Sequence, residues 1–312
     1  MTKLKPLKDP WGREIRSLRI SLTQRCNLNC IYCHHEGEKH QKKQNKEISL
    51  EMVVRIVEVL KGAAGIERVK FSGGEPLLRE DLLDILARLP DLKDLSLTTN
   101  GVLLEEIAPL LHHQRLRINV SLDTLKEDRY TRITGASPKT LSRIHSGIDK
   151  ACELGFLPLK LNFVLLKGVN DDEIWDMVSY IRELNEKWGE GSVILQLIEL
   201  LDFGGIEGLK MDVKAIENEL AGIADATRCR AMHHRRKYLI DGVEVEVVRP
   251  MDNSEFCANC NRLRVTSDGK FKPCLLRDDN LVEIKDLTDK GIMDAFVRSL
   301  ALREPFFKVQ DR

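Results

Sequence analysis

Six short runs of strand-like residues alternate with stretches of helical periodicity through the first two-thirds of the chain, the pattern of consecutive βα units building a parallel sheet. The candidate strands are Ser17 to Leu22, Arg68 to Phe71, Asp94 to Thr98, Leu116 to Ser121, Leu159 to Leu165 and Val193 to Ile198. Helix starts are well marked. Ser49 opens an amphipathic segment running to Lys61, and Asp171 to Lys187 follows the turn Gly-Val-Asn-Asp. Glu38 to Lys46 is charged, Gln-rich and free of apolar residues, and reads as a solvated loop. After about Asp202 the pattern changes. A Gly-rich stretch from Phe203 to Gly208 and one helix lead to the β-type segment Lys237 to Val248 and then to a cluster of cysteines. The expected fold is therefore α/β, a partial (βα)6 barrel of the TIM type over residues 1–202, with a smaller module over residues 203–312.

At 312 residues with a 42% hydrophobic fraction, the chain is long enough for one barrel, an appendage and a real core. Basic and acidic residues balance at 49 each, so no global field draws it to nucleic acid or to an anionic membrane, and an anionic ligand must be bound locally. No signal-peptide pattern and no run of about 18 apolar residues is present, which predicts a cytoplasmic protein whose thiols stay reduced. Clustered cysteines in such a chain read as metal or catalytic sites. Cys152 and Cys229 stand apart and are expected to be small buried hydrophobes.

The densest chemistry lies at Cys26, Cys30 and Cys33. Three thiolates within eight residues can hold three irons of a cubane and leave a fourth open, whereas a structural zinc site normally closes with four ligands. A second triad, Cys257, Cys260 and Cys274, repeats the incomplete set, with Arg262 and Arg264 following Cys260 and a Ser-Asp-Gly-Lys hairpin turn before Cys274. His233 and His234 keep a Cys3His zinc site open as an alternative there, although with Arg235 and Arg236 they read better as a basic exposed segment; His34 and His35 read as neighbours of the first triad.

Functional groups of a βα barrel gather at the C-terminal ends of its strands. The first triad, Gly73-Gly74-Glu75-Pro76, Thr98-Thr99-Asn100-Gly101 and Ser121-Leu122-Asp123 occupy four such positions in succession. Any one of the glycine pairs is ordinary turn punctuation; together with the triad they describe one mouth. Gly73 and Gly74 would let a ligand approach the backbone, and Glu75 would suit a ligand ammonium. Arg68 and Lys70 share a face of one strand, Arg19 sits among Leu18, Ile20 and Leu22 on the opposite face from them, and Lys160 stands between two leucines. A single such cation can snorkel to the surface, but four of them predict an anion site, with a triphosphate as the natural occupant.

Cys26-x3-Cys30-x2-Cys33 with Tyr32, followed by Gly73-Gly74-Glu75-Pro76, resembles the radical S-adenosylmethionine (SAM) superfamily. Leu18-Arg19-Ile20-Ser21, Thr98-Thr99-Asn100-Gly101, Asn119-Val120-Ser121-Leu122-Asp123 and Cys257-x2-Cys260-Asn261-Arg262-Leu263-Arg264 with Cys274 narrow the resemblance to the GTP 3′,8-cyclases of molybdenum cofactor biosynthesis, from about Trp11 to past Cys274.

The resemblance implies a 4Fe-4S cluster with SAM on Cys26, Cys30 and Cys33, and a second 4Fe-4S cluster on Cys257, Cys260 and Cys274 in an auxiliary C-terminal domain. It implies SAM contacts at Tyr32, Gly74, Ser121 and Leu201, and GTP contacts at Arg19, Arg68, Lys70, Thr98, Lys160, Arg262 and Arg264, the last two also catalytic. It further implies an electron donor protein and a downstream cyclic pyranopterin monophosphate synthase as partners. Bacterial members end in a Gly-Gly tail that enters the active site, whereas no glycine follows Gly291 here; this branch manages without the tail, replaces it, or differs in activity. Two other readings stay open: a peptide-modifying radical SAM enzyme with an auxiliary cluster, and a non-catalytic zinc-stabilised binding module.

Overall fold

The computed structural model describes residues 7–38, 47–111, 115–202, 205–230, 232–251 and 253–305. The charged loop after Glu38, the start of the Gly-rich turn at Phe203 and the chain from Phe306 onward lie outside the described residues.

The six expected strands form, as β1 Ser17–Ser21, β2 Arg68–Ser72, β3 Asp94–Thr99, β4 Leu116–Ser121, β5 Leu159–Leu165 and β6 Val193–Glu199. They pair in sequence order and in parallel, joined by helices α1 Leu50–Ala64, α2 Leu82–Arg88, α3 Leu104–Leu111, α4 Glu127–Thr134, α5 Lys139–Glu153 and α6 Ile174–Trp188. The Ser49 side chain caps α1 by accepting from Met52 N at 3.2 Å, and Gly65, at φ +70°, ends it, as a left-handed C-terminal residue must. The helix expected from Asp171 starts at Ile174 instead. Asp171 turns its carboxylate back to accept from Gly168 N (2.9 Å), so residues 171–173 form a tighter single turn.

Residues after 204 add α7 Val213–Ile223, β7 Ala226–Cys229, β8 Arg236–Ile240, β9 Val243–Val248, α8 Ser254–Ala258, β10 Arg262–Val265, β11 Phe271–Lys272 and α9 Asp289–Ala301. These strands extend the same sheet at both ends. Its order is β11-β10-β1-β2-β3-β4-β5-β6-β9-β8-β7, with β10 parallel to β1 and β9 parallel to β6, giving an open, unclosed barrel. The β10–β11 connection is the expected hairpin, Thr266 N donating to Lys270 O at 2.9 Å with Gly269 at φ +88°.

Alternation sorts the sheet into two faces. Leu18, Ile20, Val69, Phe71, Leu97, Ile118, Val120, Leu161, Phe163, Leu195 and Leu197 are buried against the helices in one continuous core. The opposite face is polar. Register places Arg264, Arg19 and Lys70 side by side on β10, β1 and β2, so Arg19 shares the inner face with Lys70. One step further along the strands Thr98, Asn119 and Lys160 form a second row, and Ser121, Asn162, Gln196 and Glu246 a third. Cys152 is buried as expected, but Cys229 is exposed, because β7 is an edge strand and all four of its residues face solvent.

Candidate active site

The first triad lies on the loop after β1. Gly73 and Gly74 dock backbone to backbone on the segment leading into it: Gly74 N donates to Thr23 O (2.7 Å) and Glu75 N to Arg25 O (2.8 Å). A Cβ on Gly74 would stand 2.2 Å from Arg25 O, so this packing of backbone on backbone requires glycine there. Glu75 also departs from expectation. Its carboxylate is sealed from solvent and accepts from Leu77 N (2.9 Å), Thr99 Oγ1 (2.8 Å) and Asn100 N (2.7 Å), which ties the ends of β2 and β3 together instead of facing an ammonium. Burial raises its pKa to about 7 against those three donors. Glu75→Ala should therefore lower the unfolding free energy by about 2–4 kcal/mol, the scale of several buried donors losing their acceptor, as read by anaerobic guanidinium denaturation. An unchanged midpoint would refute this role.

The three thiols are close enough to shift one another. Burial raises all three, and Cys30 is pushed up further by Asp123, Cys33 and Cys26 against a hydrogen bond from Tyr32. Thiols so placed ionise when a metal supplies the positive charge. Tyr32 donates its hydroxyl to Asp123, whose other oxygen accepts from Val164 N (2.7 Å), and Asp123 O accepts from Asn170 Nδ2 (2.8 Å). This chain of bonds fastens the triad loop to the ends of β4 and β5. Tyr32 packs beside a small apolar group of Ile133, Leu166, Val169 and Leu200 at the mouth, with Leu201 half-buried next in sequence and Ser121 half-buried at the end of β4.

Deeper in the barrel the cations cluster. Glu36, three residues past Cys33 and held at φ +54°, takes Arg19 on one carboxylate oxygen (2.9 Å) and Arg264 on the other (2.8 Å). Burial works to raise its pKa, but the two arginines hold it at about 2. Lys160 donates to Glu246 Oε2 at 2.5 Å, and burial brings its own pKa down to about 8. Lys70 has no ion pair or hydrogen bond among the described residues, and burial with Arg19, Arg262, Arg235 and Lys160 depresses its pKa strongly. Among the described residues, Arg262 Nε, Thr98 Oγ1, Asn119 Oδ1 and Asn162 Oδ1 are buried without a partner. Arg68 starts β2 beside Asp94, whose carboxylate is gripped at both oxygens by Arg117 at 2.7 Å. Among the described residues this face gathers more cations than carboxylates, and its unpartnered atoms include the Arg262 Nε donor as well as the two asparagine acceptors.

Of the second triad, Cys257 lies in the last turn of α8, Cys260 just past it, and Cys274 two residues after β11. Cys260 N donates to Cys257 O (3.2 Å), and Arg303 donates to the carbonyls of Cys260 (3.0 Å) and Arg262 (2.6 Å), while Arg13 donates to that of Cys257 (3.1 Å). Arg262 and Arg264 project from one face of the extended β10, as their spacing requires. His233 stacks on Phe256 at 3.9 Å and His234 Nδ1 lies 2.9 Å from Glu255.

Glu36, Arg117, Arg230, Arg235 and Glu246 were not anticipated from sequence. Their one readable signal was position: Glu36 ends the cysteine motif, and Glu246 lies on the alternating Val-Glu-Val-Glu-Val run.

The family model described as Radical SAM superfamily matches residues 20–181, over half of the chain, and this open parallel βα sheet with three thiols on the loop after its first strand is that of a radical SAM enzyme. A second, described as Molybdenum Cofactor Synthesis C, matches residues 193–308. A protein of Methanosarcina acetivorans named "Probable GTP 3′,8-cyclase" is 51% identical over 97% of this chain and 90% of its own. Similarly named proteins of Methanocella arvoryzae and Archaeoglobus fulgidus are 48% and 44% identical over 97% of this chain, covering 95% and 99% of theirs. The chain belongs to the GTP 3′,8-cyclase family. Among solved structures, Streptococcus suis SuiB bound to S-adenosylmethionine superposes with a TM-score of 0.62 at 17% identity over 84% of this chain and 60% of that one. Native anSMEcpe with bound AdoMet gives 0.60 at 20% over 90% and 81%. At that identity they share the fold. Family membership decides for a nucleotide cyclase over a peptide-modifying enzyme or a zinc-stabilised binding module.

Proposed function

We propose that this chain converts GTP to (8S)-3′,8-cyclo-7,8-dihydroguanosine 5′-triphosphate, the first step of molybdopterin biosynthesis, within the inner cationic face described above. The observation carrying this reading is the convergence of Arg19, Lys70, Lys160, Arg262 and Arg264 on one buried face, directly behind the first triad, with Glu36 and Glu246 as counter-charges.

Cys26, Cys30 and Cys33 would hold a 4Fe-4S cluster, and with SAM it supplies a carbon radical able to take a ribose hydrogen. The remaining work is placement. Tyr32, Gly74, Ser121 and Leu201 would contact SAM at the mouth. Arg19, Arg68, Lys70, Thr98, Lys160, Arg262 and Arg264 would bind the nucleotide, with Arg262 and Arg264 acting on the reacting base and ribose. Cys257, Cys260 and Cys274 would hold a second 4Fe-4S cluster in the segment from residue 203 onward. An electron donor protein and a downstream cyclic pyranopterin monophosphate synthase complete the reading. No helix among the described residues is long and apolar enough to cross a membrane, in keeping with a cytoplasmic enzyme.

Anaerobic reconstitution with GTP, SAM and dithionite tests this directly. Cyclised dihydro-GTP and 5′-deoxyadenosine should form together, and 5′-deoxyadenosine without a GTP-derived product would overturn the assignment. Reconstituted protein should carry ~8 irons per chain, since two cubanes hold four each; ~4 irons would leave the second triad without one. Lys160→Ala should weaken GTP binding ~10-fold and leave SAM binding unchanged, because its charge-assisted contact is to phosphate. Equal loss of both ligands would contradict the phosphate role.

A further inference from the structure

Glu246 stands at the far end of the cationic face from Glu36 and is surrounded beyond its own needs. It is sealed from solvent, and four side chains converge on it: Lys160 (2.5 Å), Gln196 (2.8 Å), Arg230 (2.9 Å) and Arg235 (3.1 Å). A buried carboxylate is neutralised by one cation. Three leave excess positive charge in a poorly solvated place, a costly arrangement unless an anion shares it. Arg235 shows the same incompleteness. Its Nε is buried and, although near Glu246, makes no hydrogen bond among the described residues. Lys70 nearby has no carboxylate among the described residues, so the surplus is not absorbed elsewhere.

The two arginines are set in place by one short loop. Arg230 N donates to Arg235 O at 2.9 Å, closing the connection between β7 and β8. The tip of that connection docks on the second cysteine segment: His233 N donates to Asn259 O (3.2 Å), its ring lies against Phe256, and Arg262 reaches Met232 Sδ at 3.8 Å. His233 and His234 both sit at positive φ, +61° and +47°, a conformation non-glycine residues hold only when their surroundings fix it. One end of the loop therefore touches the region of Cys257 and Cys260 while its base presents Arg230 and Arg235 beside Glu246. The loop sets a fixed span between the second triad and the outer cations.

We propose that Arg230 and Arg235, gathered with Lys160 around Glu246, form the subsite for the outermost phosphate, and that this subsite makes the enzyme select a nucleoside triphosphate over the diphosphate. The inference rests on the reading of GTP as substrate. Glu246 acts as the positioning residue: its carboxylate holds three like charges together until the phosphate arrives, and the arginines contact the ligand.

The test is anaerobic titration calorimetry of cluster-loaded wild type, Arg235→Gln and Arg230→Gln with GTP, GDP and SAM. Each variant should bind GTP ~10- to 100-fold more weakly, the scale of one charge-assisted contact, while GDP changes less than ~3-fold and SAM is unaffected. The GTP to GDP preference should thus collapse. A parallel loss of GTP and GDP, or an unchanged preference, would overturn the subsite. Arg230, whose side chain is 31% exposed, carries the test should the more buried Arg235 variant lose its irons. Wild type that binds GTP and GDP alike overturns the subsite and leaves the cyclase intact. Wild type that prefers a different triphosphate, with that preference over its diphosphate lost in the variants, removes the GTP reading and upholds the subsite.

Discussion

Cys30→Ser protein, mixed anaerobically with SAM and dithionite, should release no detectable 5′-deoxyadenosine. Of the first three thiols Cys30 is the least exposed, and burial, Asp123 and the two neighbouring cysteines all disfavour its ionisation. Only a bound metal offsets those penalties, and it does so through a soft thiolate that a serine hydroxyl cannot replace. With one corner lost, the remaining two thiolates hold two irons at most, and the open iron needed for SAM is no longer fixed. The iron content should fall from ~8 to ~4 per chain, because the second triad hangs on a separate scaffold of Arg13 and Arg303. Persistent 5′-deoxyadenosine from this variant would show that the radical source lies elsewhere.

The barrel was legible because each of its strands carries a run of apolar residues on one face. Leu18 and Ile20 around Arg19, or Leu159 and Leu161 around Lys160, give a period of two that no helix reproduces, and Ser49 marks the following helix by its cap. What escaped depends on partners distant in sequence. β10 pairs with β1 across more than half the chain, and nothing local announces that the C-terminal segment flanks the barrel at both ends. The counter-charges were hidden for the same reason. Glu244 and Glu246 share a face of β9 and read alike, yet Glu244 pairs with Lys237 at the half-exposed rim while Glu246 is sealed under three cations. Glu75 misled in the opposite direction. Its charge suggested a ligand ammonium, but the strand ends it joins already occupy its carboxylate. Cys229 misled through composition, since residue type does not report that a strand lies at the sheet edge.

Arg264→Ala should separate radical formation from ring closure: irons retained, SAM still cleaved, and cyclised product reduced by ~10²-fold, the cost of misplacing a bound reactant by about 1 Å. The geometry supports such a division. Arg264 lies four residues beyond Cys260 and bonds the far oxygen of Glu36, so its loss leaves the Arg19–Glu36 pair and the cysteine backbone intact. Glu36→Gln provides the comparison. It keeps the side-chain size and removes the charge that holds Arg19 and Arg264 together, so both arginines remain but repel one another across a neutral amide. That variant should form product at a rate between wild type and Arg264→Ala, with a raised KM for GTP and unchanged SAM cleavage. Near-normal cyclisation by Arg264→Ala would exclude a role on the reacting nucleotide. A fall to ~4 irons would instead assign the arginine to the integrity of the second triad, since its strand begins two residues after Cys260.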